Sequence, residues 1–508
     1  MNDASDPEAG LRARAGSRPA PPWASARDSR LVPLALIALH WAVAALLWPG
    51  LGWMDSLEYS RAAMDLLDGT LPRDHWGLRW PLTLPLTLGA GLLGPSELTL
   101  SLPLLLVSSV LVWLAWLCGC RWSNAATGRA AGALFATSPV FASMGIIVAV
   151  PETLFTLAAI ALAARAERAR DFVLAGVLAW AAWACRETSA YLPVTLALVT
   201  LVAAKPAMVR RGVAAAAILA AFATALLAEL AFYRAVYGAW LFRMRADLAH
   251  GQDAPGTRIL DTAPGRAETW AAPILETIAA SLLTPIWLVA LPGLALLVIG
   301  IARHGMAPGN TEGRRAALHL VAGSVAAYLL AVGVLNLERY YYYPVVAVAA
   351  VFLAARAIAA LAARRPRAGA ALLVSVCTAS VALSLVTRPP DAGTAERLAA
   401  AAEEHGSPIK ADTKIKRSRL LLRMQGLSPT LLTRLREGDP IMAGDLVFAA
   451  EGALSPGPGW QILARYEGRP QPLPARLIDR VDPGLAVRVL GDRAQARPDW
   501  LLWRVGPG

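Results

Sequence analysis

Long apolar runs recur along the chain from residue 31 to residue 387, and they constrain the fold more than any other feature. A helix needs about 20 apolar residues to cross a bilayer, and about eleven runs reach or approach that length. They cover residues 31–51, 97–117, 130–148, 153–165, 172–185, 189–204, 213–233, 274–301, 316–335, 344–363 and 369–387. The sequence therefore predicts an all-α polytopic membrane protein, and residues 31–388 form its transmembrane domain.

Two segments differ in composition from these runs. Residues 1–30 are rich in Ala, Pro, Arg and Ser without an apolar period, which predicts a disordered tail. Residues 389–508 contain frequent Arg, Asp, Gly and Pro, and they are long enough for a domain of their own. There "PIKADTK", "GDLVFAA" and "WQILARY" read as short strands, and "RSRLLLRMQ" reads as a helix. We expect a small C-terminal α/β domain.

The distribution of charge predicts the orientation in the membrane. The short loops that alternate to one side hold Arg clusters, whereas those on the other side hold most of the acids. By the positive-inside rule the tail is cytoplasmic, and the loop 52–96 and residues 389–508 are external. The basic residues behind the net charge of +12 are scattered in short clusters without interleaved aromatics, which argues against nucleic-acid binding. The four cysteines lie in or beside spans, so neither a disulfide framework nor a metal site is expected.

The first external loop contains the stretch "WMDSLEYSRAAMDLLDG". If it is helical, Asp55, Glu58 and Tyr59 have the spacing i, i+3 and i+4 and share one face. The alternative is an amphipathic connector whose acids are simply solvated. Downstream, "WPLTLPLTLGAGLLG" is interrupted by Pro81 and Pro85 and is too short to cross, which indicates an interfacial helix.

Ionisable residues also interrupt the apolar sequence at other external junctions. Glu152 lies in "VAVPETLF", Arg186 in "WACRETSAY" and Arg339 in "NLERYYYYP". Such groups are costly at membrane depth and usually line a cavity or bind a ligand. These junctions on one face of the membrane predict one shared site, which Glu229 and Glu276 could join.

The ordered set of motifs resembles the GT-C class of glycosyltransferases, in particular bacterial relatives of protein O-mannosyltransferases (glycosyltransferase family 39-like) and of the aminoarabinose transferase that modifies lipid A. Those proteins carry Asp-x-x-x-Tyr in the first external loop, a spacing that Asp55 and Tyr59 match. "LLDGTL" matches the turn that follows, and "LLGPSELTL" matches the start of the second span. The family's second acid corresponds to Glu152 and its basic residue before the sixth span to Arg186. Its Arg-Tyr motif before a proline corresponds to Arg339 and Tyr340.

The resemblance implies an inverting transfer of a sugar from a polyprenyl-phosphate donor to an acceptor hydroxyl at the external face of the bacterial plasma membrane. In this reading Asp55 is the base, Arg186 and Arg339 bind the leaving phosphate, and Tyr340 assists them. Glu152 orients the acceptor or a metal.

Two further residues of the first external loop join the candidates. Ser56 stands where relatives often carry a second acid, so Glu58 is a further catalytic candidate. Tyr59 and His75 are counted among the substrate-binding residues, although a single loop histidine more commonly lies at the surface. No metal or cofactor is indicated. The partners are the lipid-linked donor, membrane lipid, and a glycan, lipid or protein acceptor of the cell envelope.

Two other functions remain open from the sequence. A secondary transporter also combines many spans with charges at helix breaks, but its binding residues lie near the midplane and its halves are repeated. The third reading is a non-catalytic membrane scaffold whose external domain binds a partner. The gathering of charges at one face and the long loop after the first span favour the glycosyltransferase.

Overall fold

The structure of the protein is a computed structural model. It describes residues 28–48, 51, 55–142, 147–203, 211–253, 284–304, 311–333, 344–386, 394–411, 415–435, 439–466 and 499–506. Most of the predicted N-terminal tail lies outside these ranges, and the first helix already begins at Asp28.

Helices make up the described part of the chain as far as Val386. They are α1 (Asp28–Leu47), α2 (Ser56–Leu67), α3 (Trp80–Leu93), α4 (Glu97–Trp122), α5 (Ala125–Thr137), α6 (Pro139–Ala142), α7 (Ala149–Arg165), α8 (Ala169–Cys185), α9 (Tyr191–Ala203), α10 (Arg211–Tyr237), α11 (Phe242–Asp253), α12 (Thr284–His304), α13 (Thr311–Gly333), α14 (Pro344–Arg364) and α15 (Pro366–Val386). A 3₁₀ turn, Glu187–Ala190, joins α8 to α9.

Four of the described helices, α4, α10, α14 and α15, are long and apolar enough to cross a membrane. Shorter apolar helices cover Leu31–Leu47, Trp80–Leu93, Glu187–Ala203 and Pro285–Ala295. These helices define a multi-pass membrane protein, as the apolar runs predicted.

The predicted spans agree with the helices to different degrees. Helices α4 and α14 begin where the runs 97–117 and 344–363 begin, and the two short runs 153–165 and 172–185 are helices α7 and α8 of 17 residues each. The prediction of one span over 130–148 is wrong, because α5 ends at Thr137. Pro139 disfavours helical backbone at the preceding residue, and Ser138 is accordingly extended. The start of the run 274–301 lies outside the described residues.

Alanine is the most frequent residue in the core of the helical part, and small residues allow helices to approach closely. Helices α4 and α5 meet at Gly119 and Gly128, where a Cβ on Gly119 would lie 2.7 Å from the Cα of Gly128. Small residues therefore set the spacing of the helices beneath the loop between α1 and α4.

Helices α2 and α3 form the first loop above this core. Tyr59, Met64, Leu82 and Leu86 are buried between α2, α3 and α4. Helix α3 is 14 residues long, with Pro81 in its first turn, and its other side exposes leucines such as Leu92. The prediction of a short helix here is confirmed.

The C-terminal residues form the predicted α/β domain. Helices α16 (Thr394–His405) and α17 (Lys416–Met424) pack on a five-stranded mixed sheet. Its strands are β1 (Ile409–Ala411), β2 (Leu432–Arg434), β3 (Leu446–Ala450), β4 (Gln461–Tyr466) and β5 (Trp500–Arg504), in the order β2-β1-β3-β5-β4. Strand β1 is parallel to β2 and β3, whereas β5 is antiparallel to β3 and β4. The sequence predicted β1, β3, β4 and α17, and it missed the other elements.

Candidate active site

The candidate site begins at the N-cap of the first loop helix, α2. Asp55 is the N-cap of α2, and its carbonyl oxygen accepts the backbone N–H groups of Glu58 at 3.0 Å and Tyr59 at 3.2 Å. The Asp55 side chain is half-buried and does not cap its own helix, while Tyr59 is completely buried. The predicted helical spacing of these residues is confirmed.

A buried arginine that the sequence analysis did not single out faces Tyr59. Arg79 lies at the N-terminus of α3, and its Nη1 donates a hydrogen bond to the Tyr59 hydroxyl. Its Nη2 is 4.0 Å from Glu187 Oε2 and 4.0 Å from Asp247 Oδ1. The guanidinium also lies 5.3 Å from the centre of the Trp76 ring. Arg79 thus joins α2 to two later segments of the chain.

Burial and charge keep this pair in defined protonation states. Burial raises the pKa of Tyr59 to about 12, although the positive charge of Arg79 acts in the opposite direction. Burial alone would lower the pKa of Arg79, but the Tyr59 oxygen and the carboxylates of Glu187 and Asp247 outweigh it and raise the pKa above its ordinary value. A neutral phenol therefore lies against a permanent cation.

The acidic and the basic side chain predicted at two later junctions, Glu152 and Arg186, form an ion pair. Glu152, in the first turn of α7, is completely buried; its Oε1 accepts the Ser189 hydroxyl at 2.6 Å, and its Oε2 lies 3.4 Å from Arg186 Nη1. The charge of Asp55 raises the pKa of Tyr59, and that of Arg186 lowers it. The structure thus pairs the charged residues of two predicted junctions, Glu152 and Arg186, and one shared site for all the junctions stays a prediction.

A second buried arginine, Arg243, contacts Glu187, the carboxylate that lies near Arg79. Arg243 of α11 donates from Nε to Glu187 Oε1 at 2.6 Å and from Nη1 to Glu229 Oε1 at 3.2 Å. Its Nη2 donates to the carbonyl of Trp183 at 3.0 Å. The chain reverses between α10 and α11 at Gly238, whose φ of 77° is readily adopted only by glycine. This turn returns Arg243 to Glu229 of the preceding helix.

Glu229 is the second centre of this supporting network. Its Oε2 accepts the indole N–H of Trp180 at 2.9 Å, and its Oε1 accepts the hydroxyl of Tyr233 at 2.8 Å. Tyr233 in turn accepts from the indole of Trp80, at the start of α3, at 3.1 Å. Glu229 thus contacts Arg243, which also binds Glu187, whereas Glu276 lies outside the described residues.

The remaining predicted site residues are placed differently. Glu58 forms ion pairs with Arg61 at 3.2 Å and with Lys416 of α17 at 2.6 Å. Burial opposes its ionisation, but these two cations hold the pKa of Glu58 below its ordinary value. His75 is buried and not at the surface, and its ring centre lies 3.9 Å from that of Trp76 with the ring planes tilted by 46°; its role in substrate binding stays a prediction. Arg339 and Tyr340 lie outside the described residues.

Sequence reasoning missed Arg79, Arg243 and Asp247. Arg79 lies in "GLRWPL", where an arginine next to a tryptophan and a helix-starting proline was the available signal. Arg243 and Asp247 lie in a polar stretch that also contains Arg245, and nothing local distinguishes them. Among the described residues, no three His, Cys, Asp or Glu side chains are grouped as metal ligands.

The membrane helices, the loop helices α2 and α3 and the C-terminal α/β domain together form the fold of the GT-C glycosyltransferases. Among solved structures, ArnT from Cupriavidus metallidurans bound to undecaprenyl phosphate matches with a TM-score of 0.53 and 11% identity, over 85% of this chain and 95% of that chain. The predicted resemblance is therefore confirmed at the level of the fold.

Further matches are weaker. The apo form of the same ArnT has a TM-score of 0.49 at 10% identity, over 93% of this chain and 97% of that one. The oligosaccharyltransferase AglB from Archaeoglobus fulgidus, in complex with an inhibitory peptide and a dolichol-phosphate, has a TM-score of 0.44 at 11% identity, over 81% and 61%. No protein-family model and no curated protein sequence matches the chain.

Proposed function

We propose that the protein is a glycosyltransferase that moves a sugar from a polyprenyl-phosphate donor to an acceptor hydroxyl. The observation that carries the proposal is a group of ionisable residues at the start of α2 and α3: Arg79 donates to the buried Tyr59 hydroxyl, the half-buried Asp55 begins the same helix as Tyr59, and the buried Glu152 pairs with Arg186. A carboxylate at the start of this loop helix, together with two buried guanidinium groups, suits the chemistry of a lipid-phosphate donor. The shared fold with an ArnT that binds undecaprenyl phosphate supports this choice of donor.

In the proposed reaction Asp55 is the general base. It takes the proton of the acceptor hydroxyl as that oxygen attacks the anomeric carbon, with inversion. The bond from the anomeric carbon to the phosphate oxygen breaks, and the polyprenyl phosphate leaves as a monoester. Arg79 and Arg186 stabilise the negative charge that develops on this leaving group, because guanidinium donors pair strongly with phosphate oxygens.

In this proposal the carboxylates of Glu152 and Glu187 hold the two arginines in position. Glu152 engages Ser189 and Arg186 with its two oxygens, so we propose that it orients Arg186 and does not itself contact the acceptor. Glu187 lies between Arg79 and Arg243 and does the same for Arg79. The arginines are thereby fixed before the donor arrives, which lowers the reorganisation that binding requires.

Arg339 and Tyr340 remain proposed phosphate ligands on the strength of the sequence motif alone. The site and the C-terminal domain are proposed to be external, on a bacterial plasma membrane with a cytoplasmic N-terminus, because this orientation puts the short Arg clusters inside. A hydroxyl of an envelope glycan, lipid or protein is then the acceptor.

The direct test is the release of polyprenyl phosphate from a lipid-linked sugar by the purified protein in liposomes. We expect release by the wild-type protein and almost none by Asp55→Asn. Movement of the intact lipid-linked sugar between leaflets without release would show a transporter. A protein that binds but neither releases nor moves the donor would be a scaffold.

A further inference from the structure

One face of helix α17 contacts the transmembrane domain. Lys416, Arg417, Leu420, Arg423 and Met424 have the spacing i, i+1, i+4, i+7 and i+8, which places them along one side of a helix. Leu420 is buried in the hydrophobic cluster beneath α2, and Met424 packs against the same cluster. The opposite side contributes Leu422 to the core of the C-terminal domain. Helix α17 therefore belongs to two cores at once.

Ion pairs fix this contact along the whole length of α2. Lys416 Nζ lies 2.6 Å from Glu58 Oε1 near its start. Arg423 Nη1 lies 2.7 Å from Asp65 Oδ1, and its Nη2 pairs with Asp68 at the C-terminal end. Glu58, Asp65 and Asp68 are thus paired with cations of the C-terminal domain.

The most buried cation of α17, Arg417, is linked by hydrogen bonds to the residues that precede α2. Arg417 is 5% exposed, and it donates from Nε to Glu97 Oε1 at 3.0 Å and from Nη2 to Glu97 Oε2 at 3.2 Å. Glu97 Oε1 also accepts the backbone N–H of Leu51 at 3.3 Å. The Leu51 carbonyl in turn accepts the Ser56 hydroxyl at 3.0 Å. Ser56 directly follows Asp55.

We propose that Arg417, acting through Glu97, is a positioning residue for Asp55, so that the C-terminal domain completes the active site. The inference rests on the proposed function, in which Asp55 is the base. Asp55 directly precedes Ser56, whose hydroxyl bonds to the Leu51 carbonyl, so the position of Asp55 is sensitive to how the chain enters α2. Glu97 fixes that entry because one carboxylate holds both Leu51 and the guanidinium of a distant domain.

Kinetics of the full-length protein test the coupling. Arg417→Ala should lower kcat by up to about 100-fold, the cost of a displacement of about 1 Å in a reacting group. The dissociation constant of the donor should stay unchanged, because Arg79 and Arg186 are not involved. Arg417→Lys should recover part of the loss, and Glu97→Gln should resemble Arg417→Ala. Arg465→Ala, which removes an exposed arginine from the same domain, is the matched control.

A double mutant separates positioning from general stability. In an Asp55→Asn background, Arg417→Ala should cause no further loss of the residual rate, because its effect passes through Asp55. Two losses that multiply, or an Arg417→Ala variant with wild-type kcat, would overturn the proposal.

Hydrogen exchange gives a readout that does not depend on transfer. Arg417→Ala should speed exchange of the Tyr59 and Ser60 amides by about tenfold, the scale expected for losing a charge-assisted hydrogen bond. Arg465→Ala should leave it unchanged. A wild-type protein without transferase activity would refute the proposed function, while unchanged exchange in Arg417→Ala would refute the positioning role.

Discussion

At the scale of single residues, the position of Asp55 separates it from the neighbouring acids. Glu58 is committed to Arg61 and Lys416, and Asp65 is committed to Arg423. Asp55 lies half-buried at the start of α2, and its charge raises the pKa of the buried Tyr59. These differences in placement are the reason for proposing Asp55, and not Glu58 or Asp65, as the base.

Asp55→Asn should therefore lower kcat by about 100- to 10,000-fold, the usual contribution of a general base, with little change in donor binding. Glu58→Gln should cost much less, because it weakens only ion pairs on the outer side of α2. Rates of polyprenyl phosphate release measured for both variants decide between them. An active Asp55→Asn together with an inactive Glu58→Gln would move the base by one helical turn.

Arg79 should contribute to donor binding through its planar guanidinium. Arg79→Ala should weaken the donor's affinity by about tenfold or more, and Arg79→Lys by less, because an ammonium keeps the charge but not the two parallel donors. Arg61→Ala is the matched control, since this arginine of the same loop is largely exposed. Binding of a labelled polyprenyl phosphate measures the difference. Equal affinity in all three variants would leave Arg79 a purely structural ion partner.

The pKa of Tyr59 predicts a specific pH dependence. Because burial raises this pKa to about 12, the hydroxyl stays protonated throughout the working range of the protein. Tyr59→Phe should lower kcat/KM through the lost hydrogen bond to Arg79, yet leave the shape of the pH–rate profile unchanged between about pH 6 and pH 10. Loss of an alkaline limb in Tyr59→Phe would instead show that the phenol ionises within that range.

At the scale of secondary-structure elements, the contact between α4 and α5 sets the spacing of the helices under the site. A Cβ on Gly128 would lie 2.7 Å from the carbonyl oxygen of Trp116 and 2.2 Å from the Cys120 sulfur. Both helices would have to move apart to accept it. The closeness of α4 and α5 therefore depends on glycine at this position.

Gly128→Ala should destabilise the protein by about 1–3 kcal/mol, the usual cost of overpacking. Gly212→Ala is the control, because a Cβ there meets no atom within 4 Å. Thermal unfolding in detergent should show a lower Tm for the first variant only. An equal Tm for both would mean that α4 and α5 separate at little cost.

The elements also show what the sequence could predict. Long apolar runs gave the approximate bounds of most helices, and a charge beside such a run, as at Glu152 or Arg186, was conspicuous. Arg243 stands in a polar stretch beside Arg245, where one arginine resembles the next, and Arg79 stands beside Trp80 and Pro81, a weaker signal than a charge within a long apolar run. Their burial follows from the turn at Gly238 and the packing of α3, which are tertiary events. The strand β2, three residues long, carried too little pattern to be recognised.

At the scale of the whole molecule, the orientation is the first quantity to measure. If the C-terminal domain is external, a cysteine introduced at Gly457 should react with a membrane-impermeant thiol reagent in intact cells. A cysteine at Arg364, at the end of α14 on the predicted cytoplasmic side, should react only after lysis. The reverse pattern would place the domain and the site inside the cell.

The contact between Arg417 and Glu97 joins residues 320 positions apart. A ribosome makes them in order, so Asp55, Tyr59 and Arg79 exist as chain long before the guanidinium that braces the start of α2. A nascent chain that has already inserted its membrane helices would still lack the contact between Arg417 and Glu97. Premature termination after α15 would remove this contact permanently. If Arg417 positions Asp55 as proposed, the site is complete only after the C-terminal domain has been synthesised and has folded.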